Sequence, residues 1–209
     1  MIRPRNTGVR AGTWSESKAT NTRAYDPQHE EISHVIEKYF DDYFGVDEPI
    51  FREMKLHDSF IMPVTLTEVQ SVFQTIPKKF TDGLWAVFLL GGAKKQEKSW
   101  STFTYGRYGG NKIYLHPYPK KYLVHEYSSP PKPHILIEYK RAGAIYTEKP
   151  GKFIVEFTPG ALRQFYLRDV LMHEIGHHVD RVNFGKKPRR REESFAEWFA
   201  TEYGFRLST

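Results

Sequence analysis

The sequence predicts an α+β fold in which a mixed, twisted sheet precedes two long helices within one domain. Two observations predict it. Short apolar or alternating runs bounded by glycine and proline lie between residues 84 and 157, and each has the length of a strand. After them, residues 171–180 repeat apolar side chains at helical spacing, and a second, acidic helical segment follows around residues 192–202. Helices alone or strands alone would not produce this succession.

The elements are expected in a definite order. An amphipathic helix spans residues 27–46, with Asp26 as its N-cap, and a shorter helix follows over residues 65–76. Strands are then expected over residues 84–90, 101–108, 112–117, 134–140 and 152–157. Thr158 and Pro159 have the residue types of an N-cap and a first helical turn, so a long helix begins there and ends at Gly185.

The amino terminus differs in composition from the rest of the chain. Residues 1–24 are rich in Arg, Thr and Ser, and Glu16 is their one acidic residue. We therefore expect residues 1–25 to form a flexible basic arm and residues 26–209 to form the domain. A chain of 209 residues is long enough to bury a substantial core.

Composition excludes several classes of protein. The chain has no cysteine, so it can form neither a disulfide framework nor a thiolate metal site. It has no apolar run of the roughly 18 residues that a membrane span requires and no secretory signal pattern, so a cytoplasmic location is expected. The net charge of +6 is moderate, and its sharpest cluster, residues 186–191, is expected to be a solvated loop.

The most informative motif is His173-Glu174-Ile175-Gly176-His177. On a helix, His173 and His177 project from one face, where two imidazoles can share a tetrahedral metal ion. Glu174 lies beside them and can transfer a proton. Two histidines plus one carboxylate is the ligand count of a catalytic zinc site, which keeps a position for water.

The third ligand must come from a carboxylate, because no histidine follows residue 178. Asp180 is on the same helix and points poorly towards the pair. Glu193 and Glu197 share one face of the final helix with Ala196 and Ala200, whose small side chains allow close packing. One glutamate can bind the metal while the other accepts the free ring N–H of a ligand histidine. From the residues alone, either assignment is open.

A histidine pair followed by Glu193-Ser194-Phe195-Ala196-Glu197-x-Phe199 resembles the gluzincin metallopeptidases. It is similar to the family of the anthrax lethal factor catalytic domain and the Pro-Pro endopeptidases. The resemblance covers about the last fifty residues and implies a zincin-like domain with a Zn²⁺ cofactor and a protein or peptide substrate. It also implies His173, His177 and Glu193 as ligands, Glu174 as general base and Glu197 as a supporting carboxylate outside the coordination sphere.

The chain departs from that family in one respect. Lethal factor and the Pro-Pro enzymes have a catalytic tyrosine between the motif and the third ligand, whereas residues 179–192 contain none. A donor to the developing oxyanion is still required. Tyr203 is the first choice for this role, with Tyr166, His178 and the arginines at 189–191 as alternatives.

Two further expectations concern partners. Within residues 100–118, an exposed edge strand is the candidate for aligning a peptide substrate by backbone pairing. Two other functions compete with peptidase activity: a zinc-binding regulator that is latent or non-catalytic, and a nucleic-acid-associated protein that uses the basic residues 186–191. Nucleic acid is the less favoured partner, and no membrane partner is expected.

Overall fold

The structure is a computed structural model that describes residues 48–92, 104–185 and 189–206. The expected arm over residues 1–25 and the expected helix over residues 27–46 lie outside the described residues. So do residues 101–103 of one expected strand and residues 186–188 of the basic segment. The described residues form a mixed α/β structure with a mixed sheet and several helices, as the sequence predicts.

The main sheet has four strands: β1 (Ile50–Glu53), β3 (Ala86–Leu89), β4 (Gly106–Gly109) and β5 (Lys112–Leu115). Their spatial order is β1-β3-β5-β4. β3 pairs in parallel with both β1 and β5, and all four of its side chains are buried, as expected of a central strand covered on both faces. Among the described residues, β4 pairs only with β5, in antiparallel orientation, and forms one edge of this sheet. β3 and β5 confirm two predicted strands.

Five further strands form two antiparallel sheets. β2 (Phe60–Ile61) pairs with β6 (Tyr118–Pro119). β7 (Val124–Tyr127), β8 (Ile145–Lys149) and β9 (Lys152–Glu156) form a sheet in the order β7-β9-β8. β9 was expected, but β1, β7 and β8 were not. Gly151, with φ +71°, makes the tight turn between β8 and β9.

One predicted strand is wrong. Residues 134–140 lie in a helix, α2 (Pro133–Arg141), after α1 (Leu66–Thr75). Their β-branched and aromatic side chains favoured a strand, but the buried residues Ile135 and Tyr139 are four positions apart, which is helical spacing. Pro133 occupies the first turn, where the absence of an N–H costs nothing.

The helix that carries the histidine motif is confirmed. Thr158 accepts a hydrogen bond from the Ala161 N–H and so caps α3 (Pro159–Gln164). A π-helical turn, Phe165–Val170, joins α3 to α4 (Leu171–Phe184). Gly185, with φ +68°, ends α4 at the predicted residue. The last described element is α5 (Arg189–Arg206).

The two final helices approach each other at backbone distance. A Cβ placed on Gly176 of α4 would lie 2.9 Å from the Ala196 Cα of α5, so the helices cross where neither has a bulky side chain. α5 also lies against the π-helical turn, where a Cβ on Gly204 would overlap the Arg168 carbonyl oxygen. The close packing expected from the small residues of the final helix is therefore present.

The core joins these layers through aromatic side chains. Tyr105, Tyr139 and Phe165 are almost completely buried and pack edge to face, and the Tyr105 and Tyr139 hydroxyls lie 3.2 Å apart. This cluster fixes the sheet, α2 and the π-helical turn relative to one another. Among the described residues, no helix has the combination of length and apolar composition that crossing a bilayer requires.

Candidate metal centre

Two imidazoles project from α4 one turn apart. The rings of His173 and His177 have centroids 4.6 Å apart and are nearly perpendicular. His173 is buried and His177 is half-buried. α4 thus presents both imidazoles to one point, as the i, i+4 spacing predicts.

Glu193 of α5 completes the group. Its Oε2 lies 3.4 Å from His173 Nε2 and 3.8 Å from His177 Nε2. Both distances exceed that of an ordinary N–H···O hydrogen bond. Two atoms bound about 2.0–2.2 Å from one tetrahedral ion lie about 3.4 Å apart; the His173–Glu193 distance matches this value, and the His177–Glu193 distance is somewhat longer. One ligand atom from each of the three residues falls within 4.8 Å of the others.

The potential at this point is negative. Burial by itself lowers the pKa of His173, but the carboxylates of Glu193, Glu174 and Glu138 outweigh it and leave the pKa raised. The same carboxylates that favour a proton on His173 favour a divalent cation in its place. A histidine pair with a carboxylate is also a donor set suited to Zn²⁺, so the residues fit the metal.

Glu174 lies against the edge of the main sheet. Its side chain is buried, and burial raises its pKa to about 7. The Tyr108 backbone N–H of β4 donates a hydrogen bond to it. A Cβ on Gly106 would lie 2.7 Å from Glu174 Oε1, so β4 passes directly over the carboxylate. Glu174 is thus held between α4 and β4, with a pKa suited to exchanging protons near neutral pH.

Glu197 lies one turn beyond Glu193 on α5. It lines a cavity together with His173 and Glu174, but it does not belong to the group of three metal-ligand atoms. The structure thus gives the two glutamates different surroundings. It also places Glu197 near enough to Glu138 to contribute to the raised pKa of that carboxyl.

The candidate oxyanion donors occupy other positions. Tyr203 packs in an aromatic cluster, with ring centroids 4.8 Å from Phe80 and 4.6 Å from Phe199. Tyr166 is fully buried, and its hydroxyl donates to the His116 carbonyl oxygen at 2.8 Å. The Tyr166 hydroxyl is therefore engaged by a backbone carbonyl oxygen, and the role of Tyr203 as oxyanion donor stays a prediction.

His178 links α4 to its surroundings. Its Nε2 lies 2.8 Å from the Asp82 carbonyl oxygen, and its Nδ1 lies 3.2 Å from the Tyr108 hydroxyl. Since a carbonyl only accepts, Nε2 carries the proton. His178 thus fastens α4 to β4 and to the loop before β3, which fixes the strand that covers Glu174.

A cavity of about 190 Å³ adjoins His173 and Glu174. Part of its wall comes from α2, including Glu138 and Arg141, and Asp169 of the π-helical turn also contributes. Sequence reasoning missed Glu138 because it placed residues 134–140 on a strand, and it missed Asp169 because only tertiary packing brings that residue to His173. The signal that could have revealed Glu138 is Pro133 followed by apolar residues at helical spacing.

Comparisons of the chain with known protein families, with curated proteins and with solved structures find no match.

Proposed function

We propose that this protein is a zinc-dependent endopeptidase with a zincin-like catalytic domain. The observation that carries the proposal is the spacing of His173 Nε2, His177 Nε2 and Glu193 Oε2, with the buried carboxylate of Glu174 next to them on α4. The spacing suits one tetrahedral ion, and the neighbouring carboxylate is what hydrolysis requires in addition.

The number of ligands distinguishes catalysis from a structural role. A structural zinc site has four protein ligands, whereas this group offers three and leaves a position for water. Zinc bound there would lower the pKa of that water and polarise a carbonyl oxygen.

Glu174 is the proposed general base. It accepts the proton of the attacking water and delivers it to the leaving amine. Burial supports this role because it raises the pKa of the carboxyl to about 7, close to the pH at which it must both take up and release a proton. The Tyr108 N–H and the close approach of Gly106 hold the carboxylate in position.

β4 is the proposed alignment site for the substrate backbone. In the part of the chain that the structure describes, it is an edge strand, and it runs directly over Glu174. A peptide that added to the free edge of β4 would pass beside the general base. The sequence predicts an aligning strand within residues 100–118. We assign this function to β4 rather than β5, because β5 is paired on both sides.

The test combines metal content with cleavage. The purified protein is expected to bind one equivalent of zinc and to cut members of a peptide library, with the cut sites read by mass spectrometry. Glu174→Gln should retain the zinc and lower the rate by about 10²–10⁴-fold or more, the usual contribution of a general base. The exposed Glu156→Gln, far from the site in sequence, serves as the matched control.

Two outcomes contradict the proposal. Zinc bound without cleavage of any peptide favours the alternative of a zinc-binding regulator. A protein that takes up no zinc even after reconstitution has no metal centre of this kind.

A further inference from the structure

The cavity beside His173 and Glu174 is large enough for a substrate side chain. Its volume is about 190 Å³, and a water molecule occupies about 30 Å³ in the liquid, so the space exceeds that of a few solvent molecules. Because His173 and Glu174 form part of its wall, a side chain inside it would belong to a residue next to the reacting bond.

The polar part of the wall carries an excess of acceptors. Glu138 Oε2 and Asp169 Oδ2 are excluded from solvent and have no hydrogen-bond partner among the described residues. Asp169 is only 6% exposed. Burying a carboxylate oxygen without a partner is unfavourable, and both residues line the cavity, so a ligand there that attracts and pairs with their carboxylates would gain free energy.

The positive charge in the wall is already engaged. Arg141 pairs with Asp169 Oδ1 and donates to Thr201 Oγ1 at 3.0 Å. Its Nε has no hydrogen-bond partner among the described residues. Apart from His173 Nε2, the proposed metal ligand, that leaves two acceptor oxygens against one donor, and the carboxylate of Glu197 also lines the cavity. The cavity therefore favours a cation over an anion.

The remaining wall is apolar. It includes Phe165, Val170, Ala200 and Ile137, and Ile137 is 62% exposed. Lysine and arginine side chains bury an apolar stem while the charge at the tip seeks polar partners. An apolar wall with buried carboxylate oxygens suits such a side chain better than a short or purely aliphatic one.

We propose that this cavity is the subsite for a basic side chain, lysine or arginine, next to the scissile bond of the substrate, with Glu138 as its main counter-charge. The inference rests on the peptidase function proposed above. An acidic substrate side chain would meet the carboxylates of Glu138 and Asp169. A neutral aliphatic one would leave their oxygens unpaired.

The first experiment measures selectivity. The zinc-loaded full-length protein is given a peptide library, and lysine or arginine is expected at one fixed position next to the cut. Matched peptides with lysine or norleucine at that position then give the ratio of kcat/KM. Glu138→Gln should lower that ratio by about 30-fold or more, since a buried charge loses its partner. Glu156→Gln, an exposed carboxylate on β9, should leave it unchanged.

The second experiment measures binding without turnover. Fluorescein-labelled lysine and norleucine peptides, built otherwise of alanine and serine, are titrated onto zinc-loaded Glu174→Gln, with and without Glu138→Gln. The lysine peptide should bind more tightly, and Glu138→Gln should remove the difference. Circular dichroism and zinc content establish that each variant is folded; if Glu138→Gln does not fold, the lysine-to-norleucine comparison alone decides.

The outcomes separate the two proposals. Cleavage without a basic preference, or a preference that survives Glu138→Gln, overturns the basic subsite and leaves the peptidase function standing. Absence of cleavage overturns the peptidase function. In that case, equal affinity for the two labelled peptides would overturn the subsite as well.

Discussion

Glu193 and Glu197 are the same residue type one helical turn apart, yet they have different neighbours. Glu193 Oε2 lies within 3.8 Å of both histidine Nε2 atoms, whereas Glu197 faces the cavity. Glu197→Gln should therefore weaken zinc binding by about 10–100-fold, as loss of an outer carboxylate does, and Glu193→Gln should weaken it further. Competition with a chromogenic chelator measures both, and Glu192→Gln is the control on the same helix. A larger loss in Glu197→Gln would reverse the two roles.

The sequence predicts part of the site at the level of single residues. His173, Glu174 and His177 lie on one helix, so local spacing alone fixes their relation. Which of Glu193 and Glu197 is the third ligand depends on how α5 is rotated about its axis against α4. Residue spacing leaves that rotation open, and only the family resemblance implies Glu193. Glu138 and Asp169 were missed because their proximity to His173 comes from tertiary packing between separate segments.

The crossing of α4 and α5 is the element-scale feature that brings Glu193 to the histidines. Gly176→Ala should destabilise the protein by about 1–3 kcal/mol, because its methyl group would meet the Ala196 backbone; this outweighs the gain in helix propensity of about 1 kcal/mol. Zinc affinity should fall as well, since the helices must separate. Urea unfolding and metal titration measure the two effects.

A second glycine provides the control for that prediction. Gly160 lies in the first turn of α3, and the nearest atom to its added Cβ is 4.0 Å away. Gly160→Ala should therefore be neutral or stabilising and should leave zinc affinity unchanged. Equal effects of the two substitutions would show that close helix packing does not govern the site.

Elements with strong local signals were predicted, and those with weak signals were not. The capping box at Thr65 and Glu68 and the cap at Thr158 mark helices that the structure contains. β8 was missed because four of its five residues are exposed, so it has no apolar alternation to detect. α2 was mistaken for a strand because its residue types suit either state, and burial by the aromatic core decides.

At the scale of the whole molecule, the sequence predicts which layers exist but not how they are ordered. Nothing in the strands themselves specifies the arrangement β1-β3-β5-β4, which arises from long-range pairing. That arrangement places β4 at the edge and over α4, where Glu174 is buried. Because the carboxyls of Glu174 and Glu138 are buried, their ionisation lowers the free energy of unfolding of the whole fold.

Stability should therefore depend on the ionisation of Glu138. Burial raises its pKa from 4.5 to about 7, with Asp169 adding to the effect. The folded state then holds this proton more tightly than the unfolded state, so the contribution of Glu138 is fully present below about pH 4.5 and is lost as the pH rises through about 7. As the pH is raised from about 5 to about 8, the free energy of unfolding of Glu138→Gln should increase by about 1–3 kcal/mol relative to that of the unsubstituted protein.

Urea unfolding of the metal-free protein at both pH values, followed by circular dichroism, measures this difference. Asp169, Arg141, His173 and Glu197 surround Glu138 in both proteins, so their own titration largely cancels in the comparison. Glu156→Gln should show no such change with pH, since its carboxyl is exposed. The opposite result would be a free energy of unfolding that rises with pH in the unsubstituted protein relative to Glu138→Gln. It would show that the ionised carboxylate of Glu138 is already paired with Arg141 in the folded protein. That carboxylate would then not be available as the counter-charge for a basic substrate side chain.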